Sequence, residues 1–231
     1  MFPGDGVYTA SAAEVAEQLE AHKLEQVLLN APPGDWDNGE RGLGGISQRE
    51  TEFQKSIATG LKYCRRLGCQ RMHVLAGMTE HGATEEVFAR RLRWAGEQAA
   101  PHGVTLLVEV LNPRDFPGYL VPDAATALRL VEQAGHASVR LQLDAYHLHT
   151  TEGPDLDATF RRLLPHAGHV QFANPPGRNE PGVGDADFAK LCALLDELGY
   201  EGHVGMEYKP STSTTVQSLA GWAEPFGLAA E

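Results

Sequence analysis

The chain has 231 residues, 42% of them apolar, enough for one large domain with a substantial core. Its 31 acidic residues outnumber the 19 Lys and Arg, and the formal charge of −12 argues against broad binding to a nucleic-acid backbone, which needs a basic face. No run of about 18 apolar residues marks a membrane span, MFPGDGVYTA lacks the basic-then-apolar pattern of a secretory signal, and Cys64, Cys69 and Cys192 are too sparse for a disulfide or zinc framework and fit free thiols in a reducing, cytoplasmic setting.

Taken in chain order, the pattern begins with a helix over 11–22, where Ala, Val and Leu recur at helical spacing behind Ser11. Six short apolar runs follow, at 26–32, 72–77, 105–112, 139–147, 169–174 and 203–210, each the length of a buried strand. Helices are expected over 47–67, 84–100, 122–134, 156–164, 186–198 and 213–222, and Gly68, Gly103, Gly135 and Gly199 sit where helix ends are capped. No linker or repeat divides the chain, so residues 1–231 read as one strand–helix domain. This alternation gives an open doubly wound sheet or a closed barrel. No G-x-G-x-x-G follows the first run and no phosphate-binding P-loop motif occurs, which argues against a nucleotide cofactor and removes support for the open sheet. The Pro- and Gly-rich stretches at 30–45, 112–120 and 174–185 follow strands, where α/β enzymes keep their sites.

Chemistry is signalled by polar residues inside the apolar runs. Glu109 follows Leu-Leu-Val, Asp144 follows Leu-Gln-Leu, Gln171 follows His-Val and Glu207 follows Val-Gly-Met. Each sits toward the C-terminal end of its run, so in a parallel barrel all four meet at one mouth. A buried carboxylate must be paired, protonated or metal-bound. Three acids and an amide form an oxygen-rich set suited to Mg²⁺ or Mn²⁺, the alternative for each acid alone being a structural ion pair. His147, three residues after Asp144, is a candidate for binding a substrate oxygen, and Arg178 and Lys209 are candidates for anchoring a substrate carboxylate. His73 lies too early in its run to join this set, and Glu40 and Arg41 read equally as site or loop residues.

These motifs resemble the hydroxypyruvate isomerase family, within the xylose-isomerase-like barrels. The resemblance rests on Asn30-Ala-Pro-Pro-Gly-Asp-Trp-x3-Glu40-Arg-Gly, Glu109-x2-Asn112 with Phe116-Pro-Gly-Tyr119, Gln142-Leu-Asp144-x-Tyr146-His147, His169-x-Gln171, Arg178-x-Glu180-Pro-Gly-x-Gly184 and Gly205-x-Glu207-Tyr-Lys-Pro210. It covers essentially the whole chain and implies a TIM barrel that interconverts hydroxypyruvate and tartronate semialdehyde through an enediolate, with Glu109 and Glu207 exchanging the proton. It also implies that Glu109, Asp144, Gln171 and Glu207 occupy the metal-ligand positions, Gln171 standing where the superfamily often has His. Asn174 stands where the family usually has Asp. The resemblance implies about two further strands and a helix before Met1, so this chain is expected to hold six of eight barrel strands. Its open edges at 26–31 and 203–210 favour self-association into a homo-oligomer. Rival readings are a 2-oxo-tetronate isomerase, a ketose epimerase, and an incomplete barrel that binds a metabolite without turnover. A DNA-repair endonuclease of the same superfamily would want a His-rich zinc cluster and a basic groove, and this chain has neither pattern.

Overall fold

Most α-helix starts among the described residues are written by side chains that accept the first free backbone N–H groups. Ser11 and Glu14 form a reciprocal capping box on α1 (Ala12–Ala21). Thr84, Asp123, Asp187 and Thr214 cap α3 (Glu85–Ala99), α4 (Ala124–Ala134), α7 (Phe188–Glu197) and α8 (Thr215–Trp222). The computed structural model describes residues 6–223. The remaining helices are α2 (Glu50–Leu67), α5 (Ala145–Glu152) and α6 (Asp157–Leu163), α2 and α6 being the exceptions that start without such a cap. The strands are β1 (Leu29–Asn30), β2 (Arg71–His73), β3 (Thr105–Glu109), β4 (Val139–Asp144), β5 (Ala167–Phe172) and β6 (Val204–Met206). The six strands among the described residues overlap the six apolar runs, β2 and β5 starting one and two residues before theirs, with one difference of kind. The run at 139–147 stops being a strand at Asp144, whose carboxylate accepts from the Tyr146 N–H at 2.8 Å and opens α5. Asp at that position is a helix start, and His147 is therefore helical.

The chain forms two compact units, Met1–Gln142 and Leu143–Glu231. In the first, β1, β2, β3 and β4 are neighbours in that order and parallel. Phe53, Ile57, Leu61 and Cys64 form the buried stripe of α2, and Phe88 and Leu92 that of α3; Met72, Leu106, Leu107 and Leu141 are buried residues of the strands, with Met72 and Leu106 on one face and Leu107 on the other. Gly60 gives the Met72 side chain its room, since a Cβ there would lie 2.2 Å from the sulfur and push that side chain aside. At the first run, Leu29 is buried, Val27 and Leu28 are half-buried, and the Tyr8 hydroxyl donates to the Asn30 carbonyl at 2.7 Å. In the second unit β5 and β6 pair in parallel and Phe172 stacks on Phe188 of α7. β4 belongs to both units, since its last two residues, Leu143 and Asp144, open the second.

One charged side chain lies wholly inside the first unit. Arg91 of α3 is 1% exposed, and its guanidinium donates to the carbonyls of Leu43 and Ile46, each at 2.8 Å, and to Glu50 at 2.7 Å. It thereby holds the loop between β1 and α2, whose carbonyls have lost access to water. Arg91→Met keeps the bulk and strands those acceptors. The expected loss is about 3 kcal/mol, a fall in Tm of roughly 6–12 °C for a chain of this size. Thermal melting checks this, and a variant melting within a degree or two of the parent would show that the loop holds itself.

Candidate active site

In a parallel sheet the residue paired across from a given position shares its face, and so does the residue two further along. β5 and β6 use this. Gln171 pairs with Gly205, so Glu207, two residues on and just past the end of β6, projects to the Gln171 side. The Gln171 amide donates to Glu207 Oε2 at 3.3 Å, and the Glu207 N–H donates to the Phe172 carbonyl at 3.1 Å. Gly205 clears room between them: a Cβ there would stand 3.0 Å from His169 Nε2 and 3.2 Å from Gln171 Cγ.

Arg178 organises the rest of the second unit's polar cluster. Its Nη2 lies 3.4 Å from Asp144 Oδ2 and 3.2 Å from Glu207 Oε2, its Nε donates to the Glu207 carbonyl at 3.4 Å, and its guanidinium covers the Tyr146 ring at 5.1 Å. Arg178 adopts φ 59°, a left-handed conformation that costs a non-glycine residue about 1 kcal/mol, held by the loop around it. Asn174 and Asn179 exchange backbone hydrogen bonds across this loop, and Glu180 accepts from the Ser211 N–H at 2.9 Å and hydroxyl at 2.6 Å. Asn174 itself is buried, accepting from the Ala186 N–H at 2.9 Å and donating to the Ala186 carbonyl at 3.5 Å. An aspartate could accept but not donate there, so the asparagine closes the loop and leaves the cluster's charge alone. Gly184 must be glycine, with φ 141° and a Cβ position 2.1 Å from the Pro175 carbonyl oxygen.

Asp144 is fully buried, and that burial pushes its carboxyl up to about 7; Arg178 pulls it down, and Glu207 pushes it further up. His147 is buried beside it, Nε2 to Oδ2 3.8 Å. An unfolded aspartate titrates near 4. Between about pH 4 and 7 the folded chain therefore holds a proton at Asp144 that the unfolded chain has released. This group's contribution to stability falls as pH rises through that window. In chelated, cation-free buffer, Asp144→Asn should gain on the parent in Tm from pH 5 to pH 8. A Tm difference constant with pH would show that Asp144 is ionised throughout.

In the first unit Glu109 ends β3 and is 5% exposed. His73 ends β2 with its Nδ1 3.5 Å from Glu109 Oε2. The apolar run continues past His73 to residue 77, but the strand does not, so His73 stands at a strand end like the acids. That end was the signal, hidden because Val74, Leu75 and Ala76 extend the apolar run into a buried loop. Burial keeps the imidazole neutral, its pKa pushed down to about 3. Of the other candidates, Lys209 is exposed, and only its backbone reaches the cluster's loop, its N–H donating to the Arg178 carbonyl at 2.7 Å. Glu40 accepts from the Asp35 N–H at 2.6 Å and pairs with Arg49, while Arg41 lies over Trp36 at 3.9 Å and donates to its carbonyl, so both residues tie their own loop. Cys64 and Cys69 are buried free thiols.

Residues 3–225 match the family model described as xylose isomerase-like TIM barrel. The chain belongs to this family. It is 36% identical to the 2-oxo-tetronate isomerase of Cupriavidus necator over 95% of this chain and 85% of that protein. It is 35% identical to the hydroxypyruvate isomerase of Escherichia coli over 98% of this chain and 86% of that protein. A crystal structure titled AP endonuclease, family 2, from Brucella melitensis superposes with a TM-score of 0.91 at 40% identity, covering 95% of this chain and 85% of that one. The expected fold class, and the resemblance drawn from the motifs, agree with these matches. No helix among the described residues is long and apolar enough to cross a membrane.

Proposed function

We propose that this chain is a cytoplasmic isomerase that interconverts hydroxypyruvate and tartronate semialdehyde, with Glu109 and Glu207 as its proton-transfer groups. The observation that carries the reading is Glu207, a carboxylate at a strand end held between a neutral amide and the Arg178 guanidinium, in a chain 35% identical to a hydroxypyruvate isomerase. On the pattern of this barrel family, Glu109 at the end of β3 and Asp144 at the end of β4 are assigned to the same site. β3 and β4 are parallel, Glu109 pairs with Gln142, and Asp144 lies two residues further on the same strand face. In a barrel of this family the C-terminal strand ends share one mouth.

The reaction moves one proton between adjacent carbons. One glutamate takes a proton from C3 of hydroxypyruvate and leaves the electron pair in an enediolate. The other delivers a proton to C2, and the hydroxyl proton on O3 passes to O2, giving the aldehyde with atoms and charge conserved. Arg178 suits the substrate carboxylate by a two-pronged contact, His147 a substrate oxygen, and Lys209, exposed at the loop edge, the approach of the anion. The donor set fits a divalent cation. Asp144 Oδ2 and Glu207 Oε2 already converge on one positive group, Arg178 Nη2. Glu109, Asp144, Gln171 and Glu207 would hold Mg²⁺ or Mn²⁺, which when bound would polarise the substrate's oxygens.

The test is turnover of hydroxypyruvate by the purified chain, with and without Mn²⁺, followed as tartronate semialdehyde formed. The 36% identity to a 2-oxo-tetronate isomerase makes the longer acid the second substrate to assay. A higher kcat/KM on 2-oxo-tetronate would move the assignment to that acid. Turnover of neither would overturn it in favour of binding without catalysis.

A further inference from the structure

We infer that His73 is the positioning residue of Glu109, and this rests on the proton-transfer role given to Glu109 above. Three observations carry it. The first is register. His73 pairs with Leu107 across β2 and β3, so Glu109, two residues on, shares its face. Gln171 pairs with Gly205 across β5 and β6, and Glu207 again lies two residues on. Each glutamate therefore meets a side chain of the preceding strand at the same offset.

The second observation is the contact made. His73 Nδ1 stands 3.5 Å from Glu109 Oε2, and Gln171 Nε2 stands 3.3 Å from Glu207 Oε2. In both pairs a side-chain nitrogen from the preceding strand faces Oε2 of the glutamate. A glutamate side chain has three torsions, and a proton acceptor misplaced by about 1 Å can cost about a hundredfold in rate.

The third observation is the cost. His73 is 2% exposed between the buried Met72 and Val74, and its Nε2 is a buried atom with no hydrogen-bond partner among the described residues. An orphaned buried polar atom costs about 1–3 kcal/mol, which a leucine at this position would avoid. Packing alone does not explain the histidine, whereas a nitrogen aimed at Glu109 does.

The experiment uses the whole chain with His73→Leu and His73→Asn, assayed for kcat and KM on whichever of hydroxypyruvate and 2-oxo-tetronate the parent turns over, with thermal melting alongside. Asn can place its amide nitrogen near the position of Nδ1, and Leu removes the nitrogen at similar bulk. His73→Leu should lower kcat about thirtyfold with KM within about twofold, while melting no lower than the parent; His73→Asn should recover to within about threefold of the parent kcat. His73→Met replaces His73→Leu if the latter does not fold. Equal kcat in the apolar and Asn variants, whether both low or both at the parent value, overturns the inference and leaves the glutamate mechanism standing. A parent inactive on both acids overturns that mechanism and the role of His73 with it.

Discussion

Glu109→Gln and Glu207→Gln should each lower kcat by about a hundredfold or more, because each removes a group that must accept or deliver a proton in the transition state. The substitution is nearly isosteric, so the fold should survive. At Glu109 the glutamine still faces His73 within the first unit, and at Glu207 it still meets Gln171 and Arg178 within the second. The loss should appear in kcat rather than KM, since neither glutamate supplies the charge that attracts an anionic acid. Single-substrate kinetics with circular dichroism as a folding control checks both. Full activity in either variant would remove that residue from the mechanism. A large KM effect with kcat intact would make it a binding group.

The strands and their polar ends were readable because the signal is local. A run such as Thr105-Leu-Leu-Val-Glu109 carries its own evidence of burial, and a carboxylate at its end is conspicuous against that background. What escaped was set by partners distant in sequence. Arg91 sits among Arg90, Leu92 and Arg93 on an amphipathic helix and reads as one more solvated charge. Its burial depends on carbonyls of residues 43–47, more than forty positions earlier. His73 was hidden by the loop beyond its strand, which is as apolar as the strand itself. The boundary at Asp144 was ambiguous for another reason. Ala145, Tyr146 and Leu148 suit strand or helix alike, and the aspartate decides the matter only when it is seen as a cap. The side chain of Lys209 follows from loop geometry that spacing does not encode. Its neighbour in the argument, Arg178, is turned inward by a left-handed backbone that nothing in the run Pro176-Gly-Arg-Asn announces.

Arg178→Met should lower kcat/KM by about a hundredfold, and the reason separates two roles of one side chain. Within the second unit the guanidinium stands between Asp144 Oδ2 and Glu207 Oε2 and counters two carboxylates that would otherwise repel each other. Removing it leaves a fully buried aspartate whose carboxyl, already pushed up to about 7, rises further and holds its proton at neutral pH. Breaking one partner out of a buried ion cluster costs about 3–5 kcal/mol, less here to the extent that protonation of Asp144 relieves the repulsion. The variant should therefore melt below the parent. A divalent cation can take over that first role, so Mn²⁺ should restore more of the lost Tm in Arg178→Met than it adds to the parent. It cannot take over the second, the two-pronged hold on a substrate carboxylate, so turnover should stay low with the cation present. Arg178→Lys keeps the charge without the fork and should fall between the two in kcat/KM. Parent-level kcat/KM in Arg178→Met would show that the substrate is held elsewhere. Recovery of both Tm and turnover by Mn²⁺ would reduce Arg178 to a counter-ion.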